Sequence, residues 1–261
     1  MPHSRIPYPY GQILLSLIPV RAEPGHRSEM VTQILFGETV EILDVHDEWV
    51  YVAIRQDGYR GWVEQMQVTP VDEHYYHRLS FSHFADEDFL IHTGRLPVVV
   101  RTGSPLPYYN DGTVVVAGNI KIPYRGNFRT GKHSADEIIE TALRFLNTPY
   151  LWGGKSELGL DCSGLTQLVY RMNGYPLPRD ASQQVQKGQS VETVQKIQKG
   201  DLAFFGGESG AVSHVGIIME NGKIIHAAKG KVRIDKLDEK GIFNIEMQEY
   251  SHTLRIIKRL I

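Results

Sequence analysis

The hydrophobic pattern of this chain changes period twice: strand-like alternation runs to about residue 124, a helical repeat starts near residue 134, and strands return after residue 200. That order constrains the fold. A β-rich first part must bury its apolar faces by curling on itself, and a later part must pack helices on a sheet formed afterwards, which makes an α+β domain. In the first part Val40-Glu41-Ile42 and Val50-Tyr51-Val52-Ala53-Ile54 alternate, Asp57-Gly58 marks a hairpin turn, and Gly61-Trp62-Val63 returns after it. Pro24-Gly25 marks an earlier loop. Short strands at this spacing predict a small barrel. Residues 75 to about 124 repeat the pattern more loosely, with Pro97-Val98-Val99-Val100, a turn at Asn110-Asp111-Gly112 and Thr113-Val114-Val115-Val116, and predict a second barrel. The stretch Pro123 to Arg129 reads as a linker.

Beyond it, Ser134 is placed to cap a helix over 135–147. Glu137 completes a capping box, Ile138, Ile139, Ala142, Leu143 and Leu146 form the buried face, and Pro149 stops the helix. A second helix is predicted over 162–173, where Leu165, Leu168, Val169 and Met172 share one face and Gly174 ends the run. A short helix follows from Ala181. Strands are expected over 201–205, 213–219, 223–226 and 232–234, and a last one near 253–258.

The second helix begins on the only cysteine of the chain, in Asp161-Cys162-Ser163-Gly164. One cysteine excludes an internal disulfide and any cysteine-rich zinc site, and suits a reducing compartment. A lone cysteine is often a small buried hydrophobe. Here Asp161 is the natural N-cap, so Cys162 lies on the first turn among N–H groups. A helix N-terminus and a nearby imidazolium can lower a thiol pKa from about 8.5 to about 3.5–7.5, which leads to the expectation of a thiolate at neutral pH.

Two histidines supply the remaining chemistry. His214 lies on an apolar strand in which Gly216 leaves room for a neighbour, and His226 ends the next strand across an Asn221-Gly222 hairpin turn. A general base with an orienting partner is what a nucleophilic thiol needs, with His214 taking the proton and His226 holding its far ring nitrogen. A two-histidine zinc site is the rival, and it lacks an evident third ligand in the sequence. The formal charge of −2 and the lack of a basic run argue against nucleic acid or an anionic membrane as the main partner. Ile13 to Val20 is apolar but short, interrupted by Ser16 and Pro19, and followed by no small-residue cleavage pattern, so it reads as a strand and a cytoplasmic location is expected.

These residues carry a resemblance. Pro149-Tyr150-Leu151-Trp152-Gly153-Gly154, Asp161-Cys162-Ser163-Gly164, Pro178-Arg179-Asp180-Ala181-Ser182-Gln183-Gln184, Gly200-Asp201-Leu202, Ser213-His214-Val215-Gly216 and Ile225-His226-Ala227, in this order, resemble the NlpC family of cell-wall cysteine peptidases. The ending Gly58-Tyr59-Arg60-Gly61-Trp62-Val63 is similar to that of bacterial SH3-like barrels. The resemblance implies two such barrels (1–72 and 73–124), a linker (125–133) and a papain-like catalytic domain (134–261) with helices packed on an antiparallel sheet. It further implies a γ-D-glutamyl-L-diamino acid endopeptidase acting on murein peptides with a free N-terminal L-Ala, without cofactor or metal. Cys162 would be the nucleophile, His214 the base and His226 the third member, with the Tyr150 phenol as an oxyanion donor. Asp161, Ser163, Asp180 and Trp152 would line the substrate. Glu29 and Tyr59, with Glu48 as the second choice of acid, would bind the free amine. Where some relatives have serine after the aspartate, this chain has Ala181, which puts one substrate hydrogen bond in doubt. An amidase or acyltransferase of the same layout, or a cell-wall-binding module without catalysis, are the alternatives.

Overall fold

The computed structural model describes residues 8–93, 97–207 and 210–261, so the first seven residues of the predicted 1–72 segment lie outside it. The chain divides into two compact units, Met1–Gly131 and Lys132–Ile261.

The first unit opens with seven antiparallel strands: β1 (Tyr10–Gln12), β2 (Leu17–Arg21), β3 (Met30–Leu35), β4 (Thr39–His46), β5 (Trp49–Ile54), β6 (Arg60–Glu64) and β7 (Thr69–Val71), in the order β3-β2-β6-β5-β4-β1-β7. Residues 13–16 separate β1 from β2, so only the second half of the apolar stretch read as one strand, residues 17–20, is a strand. Alternation along β4 and β5 sends Val40, Ile42, Val50, Val52 and Ile54 inward, where they join Ile13, Ile18, Val20, Ile34 and Val63 in one core. The Asp57-Gly58 turn is as expected, with Gly58 at positive φ (71°).

A short helix, α1 (Glu73–Arg78), capped by Asp72, follows. Six short strands come next: β8 (His83–Ala85), β9 (Phe89–His92), β10 (Pro97–Val100), β11 (Thr113–Val116), β12 (Ile120–Pro123) and β13 (Phe128–Thr130). Among the described residues they pair as the ladders β8–β13, β9–β10 and β11–β12, with an isolated bridge from Phe84 to Pro105, in place of one continuous sheet. Their side chains still share a core of Ala85, Ile91, Val100, Val114, Val116 and Ile122, to which Phe36 of the preceding strands contributes. Gln12 ties the two regions together, its Oε1 accepting from Tyr75 Oη (3.1 Å) and Ala117 N (2.7 Å). The predicted linker is partly a strand, because Arg129 pairs with Asp86 (2.7 Å) and Phe128 packs on Tyr109.

In the second unit α2 (Ala135–Leu143) has the predicted capping box on Ser134 and Glu137. It ends four residues before residue 147, in turns that lead to Asn147 in the left-handed region (φ 67°). The shorter helix changes its buried set: Ile138 and Ala142 are inside, Thr141 and Phe145 join them, and Leu143 and Leu146 are exposed. After a small hairpin, β14 (Lys155–Ser156) with β15 (Gly159–Leu160), comes α3 (Cys162–Met172), which is buried along its whole length. Leu165, Leu168 and Val169 are fully inside, each worth about 1.5–3 kcal/mol of transfer free energy. On this helix Gln167 Nε2 donates to Leu177 O at 3.0 Å and Thr166 Oγ1 to Ser163 O at 3.0 Å.

The sheet is built from α4 (Ala181–Gln184) onward by β16 (Gln189–Val191), β17 (Leu202–Gly206), β18 (Val212–Ile218), β19 (Lys223–Ala228), β20 (Lys231–Leu237), β21 (Gly241–Asn244) and β22 (Glu249–Arg259). Strands β17 to β22 follow one another in antiparallel pairs, and β22 pairs with both β17 and β21, so six strands close into a ring with β16 attached to β22. Sequence reading anticipated four of these strands and part of β22, but neither β16 nor β21, the strand that closes the ring. Helix α3 lies against β18 and β19. Among the described residues no helix is long and apolar enough to cross a membrane.

Candidate active site

Asp161 caps α3, with Oδ1 accepting from Gly164 N at 2.7 Å. The same carboxylate holds the preceding loop through Gly153 N (2.8 Å) and is met by the Arg179 guanidinium at 3.0 and 2.5 Å. Arg179 also donates to Ser163 Oγ at 2.8 Å. Arg179, Asp161 and Ser163 are all buried, so the head of the helix rests on a dry, charge-paired network. Both Gly164 and Gly154 lack room for a side chain: a Cβ on Gly164 would meet Gly154 O at 2.1 Å, and one on Gly154 would meet Gly159 O at 2.3 Å.

Cys162 follows the cap and is buried. The backbone N–H groups of Val215 and Ser163 point at its sulfur, which places the thiol beside the β18 segment that carries His214. The expected neutral-pH thiolate is not met. Burial, first, and the Asp161 charge, second, push the thiol up to about 11, and the Val215 and Ser163 N–H groups and Arg179 oppose this without overcoming it.

His214 and His226 are joined by a 2.8 Å hydrogen bond between His214 Nε2 and His226 Nδ1. The β18–β19 register pairs Ile217 with Ile225 and Ile218 with Ile224, which sets the two histidines diagonally across the ladder, on one face. The Asn221-Gly222 turn fixes that register with both residues at positive φ (59° and 63°). Gly216 leaves the needed room: a Cβ there would meet Ile224 Cδ1 at 2.8 Å and His226 Cβ at 3.0 Å. Both imidazoles are held neutral, chiefly by burial; His214 lies well below its usual range, and Asp235 partly offsets the lowering at His226.

Sequence reasoning missed two residues at this site. Asp235 on β20 contacts His226 Nε2 at 3.1 Å through Oδ2, and His252 on β22 stacks on His214 with ring centroids 4.0 Å apart and planes 21° apart. The signal for His252 was its place on an extension of the last predicted strand, and for Asp235 the continuation of the 232–234 strand by alternation. His252 supplies the third imidazole that the sequence lacked for a metal site, since ring nitrogens of His214, His226 and His252 lie within 4.8 Å of one another. The ring geometry does not suit chelation. Lone pairs lie in the ring plane, so the stacked His214 and His252 rings point alongside each other and not at a shared ion. The facing nitrogens of His214 and His226 are already bonded to each other.

Tyr150 is half-buried before the β14–β15 hairpin, and burial followed by the proximity of Cys162 raises its phenol to about 12, keeping it a donor. Trp152 is 61% exposed and so is not core packing. Asp180 stands at the N-cap of α4, its N–H reaching Gln183 Oε1 at 3.4 Å. In the first unit Glu29 and Glu48 are exposed, and Tyr59 packs its ring partly on the barrel core while its N–H meets Asp57 Oδ1 at 2.9 Å.

A buried thiol on the first turn of a helix, beside a closed antiparallel sheet bearing a bonded histidine pair, defines a cysteine peptidase of the papain-like kind. The chain belongs to the NlpC/P60 family, whose sequence model matches residues 147–249, and residues 20–68 match the bacterial dipeptidyl-peptidase SH3 domain. It is 33% identical over 214 residues to the gamma-D-glutamyl-L-lysine dipeptidyl-peptidase of Bacillus subtilis (strain 168), covering 76% of this chain and 72% of the relative. It is 30% identical over 260 residues to dipeptidyl-peptidase 6 of Lysinibacillus sphaericus, covering 84% and 88%. A crystal structure of an NlpC/P60 family protein from Bacillus cereus ATCC 10987 is similar in fold, with a TM-score of 0.81 over 96% of this chain and 99% of the other at 23% identity.

Proposed function

We propose that this peptidase hydrolyses the γ-D-glutamyl bond to a diamino acid in murein peptides that carry a free N-terminal L-Ala, in cytoplasmic recycling of wall fragments. The observation that carries the reading is the His214–His226 hydrogen bond (2.8 Å) beside the thiol at the head of α3. The named activities of the relatives support the substrate class. His214 takes the Cys162 proton as sulfur attacks the γ-carbonyl carbon, and the C–O π pair moves to oxygen. Tyr150 Oη and the Cys162 N–H donate to that oxyanion. Collapse expels the diamino-acid amine, which leaves with the proton from His214, and water deprotonated by His214 hydrolyses the thioester to restore the thiol.

Starting from a neutral thiol and a neutral imidazole, proton transfer accompanies attack and does not precede it. The substrate ammonium needs acceptor partners, because a desolvated charge left unpaired costs several kcal/mol; Asp180 is the candidate in the peptidase unit, Glu29 and Tyr59 are candidates of the first unit on the sequence resemblance alone, and Ser163 and Trp152 are assigned to substrate contacts. Residues 73–124 are assigned as a divergent second SH3-like module. The test is kcat/KM for L-Ala-γ-D-Glu-diaminopimelate and its N-acetyl form, with products identified by mass spectrometry. Cleavage of the free tripeptide alone is expected. Equal rates refute the amine requirement, and no γ-bond cleavage of either, under conditions where Cys162 alkylates normally, refutes the substrate assignment.

A further inference from the structure

The Asp235 carboxylate is fully buried, and the hydrogen-bond partners it has among the described residues are all donors. Oδ2 faces Arg233 Nε at 2.8 Å and His226 Nε2 at 3.1 Å, and Oδ1 faces Ile245 N at 3.0 Å and Arg233 Nη2 at 3.3 Å. Arg233 is itself held by Asn244 Oδ1 and Glu246 Oε2, both at 3.1 Å. The Asn244 oxygen also accepts from Met247 N at 2.9 Å, which fixes the orientation of that amide. A group in such a pocket must be a pure acceptor, which an ionised carboxylate is and a carboxylic acid or an amide is not.

We infer that Asp235 is a positioning residue for the peptidase reaction: through His226 it sets the tautomer of both catalytic histidines and leaves Nδ1 of His214 as the free base. An ionised Asp235 has no proton to give, so the hydrogen in its contact with His226 comes from His226 Nε2. A neutral His226 has only one ring proton, so its Nδ1 is bare and accepts. The hydrogen of the 2.8 Å contact between the rings then belongs to His214 Nε2, and Nδ1 of neutral His214 carries a lone pair. Burial favours the neutral form of both rings, consistent with one proton on each. When His214 accepts the thiol proton it becomes an imidazolium whose Nε2–H is already bonded and whose charge faces the Asp235 carboxylate across one ring. No proton need leave the relay.

The inference rests on reading His214 as the base, and its test has a readout separate from turnover. In the wild-type chain, nitrogen-15 NMR of the imidazoles near neutral pH should show His226 and His214 both protonated at Nε2 and bare at Nδ1. In Asp235→Asn the amide N–H₂ must face donors in either orientation, so His226 should shift its proton to Nδ1. His214 Nε2 then becomes the acceptor and its Nδ1 the protonated atom. We expect kcat to fall by about 10- to 100-fold, as loss of the outer hydrogen-bond partner does for metal-bound histidines, with KM little changed. A role in folding alone would lower the melting temperature and leave the tautomers of the folded fraction unmoved. Wild-type histidines in the opposite tautomer, or as imidazolium at His226, overturn the inference even if the Asn variant does not fold; so does a folded Asn variant with wild-type kcat. The stated tautomers in a chain that fails to cleave the tripeptide would uphold the relay and count against the substrate assignment instead.

Discussion

Removing Arg179 should separate the stability of this active site from its chemistry. The guanidinium is 1% exposed, contacts both oxygens of Asp161 and donates to Ser163 Oγ. Arg179→Met keeps the volume of the stem and deletes the hydrogen bonds to Asp161 and Ser163 along with the only guanidinium on that carboxylate among the described residues. Breaking a buried ion pair by removing one partner costs about 3–5 kcal/mol. Asp161 keeps the Gly153 and Gly164 N–H groups, which places the expected loss near the lower end, about 3 kcal/mol. For a unit of this size each kcal/mol moves Tm by about 3–5 °C, so the peptidase transition should fall by about 10–15 °C in calorimetry of the full chain. Asp161→Asn together with Arg179→Met removes both charges, and should cost less than the sum of the single changes, with a coupling of about 1–3 kcal/mol. Arg179→Lys should rescue only partly, because an ammonium cannot span two carboxylate oxygens. A Met variant within 1 kcal/mol of wild type, or a double variant worse than the sum, would show that the pair is not what holds the head of α3.

Three further outcomes are expected. Because the Cys162 thiol is raised to about 11 and His214 is held low, the resting pair is neutral; alkylation by iodoacetamide should climb with pH without a plateau below about pH 9, and a plateau between pH 5 and 8 would reveal a thiolate–imidazolium pair instead. The acid limb of kcat/KM should lie below the ordinary imidazole range for the same reason, since the folded His214 pKa is depressed and the ring stays an unprotonated base as pH falls; an acid limb at or above about pH 6.5 contradicts it. Gly216→Ala should lower activity more than stability, by displacing His226 from the Cβ position it would contact at 3.0 Å; unchanged kcat in a folded variant would mean that the spacing is not critical.

Local signals carried the helix-borne part of the site and the His214–His226 pair, and missed the strand-borne partners of that pair, Asp235 and His252, for a physical reason. The Asp161 cap, the start of α3 at Cys162 and the capping box at Ser134 depend on residues within one turn of each other, so spacing alone places them. The Asn221-Gly222 turn is equally local, and it determines the diagonal on which His214 meets His226. Burial is not local. That Leu143 and Leu146 stay exposed while Thr141 goes inside depends on where α2 stops, and the protonation of Cys162 depends on how many atoms surround it, a quantity no tetrapeptide encodes.

Closure of the sheet explains the rest. The sequence signs for β21 are faint: Gly241-Ile242-Phe243-Asn244 is short and enters through Gly241 at φ 143°, where a Cβ would collide with His252 O at 1.8 Å. Yet β21 and the turn after it supply Asn244, the Ile245 N–H and Glu246 to the Asp235–Arg233 network, and β22, the strand that β21 pairs with, carries His252 onto His214. The partners that aim the base therefore come from strands adjacent to it only once the ring has closed. It follows that ordering of the histidine relay is coupled to pairing of β21 with β22, and that a residue as remote from the thiol in sequence as Gly241 should be felt there. Gly241→Ala, strained both by its φ and by the collision, should loosen β21 and broaden the imidazole resonances of His226 and His252 together. Sharp, wild-type imidazole signals in a chain whose β21 amides exchange freely would show that the relay is held by β18 to β20 alone.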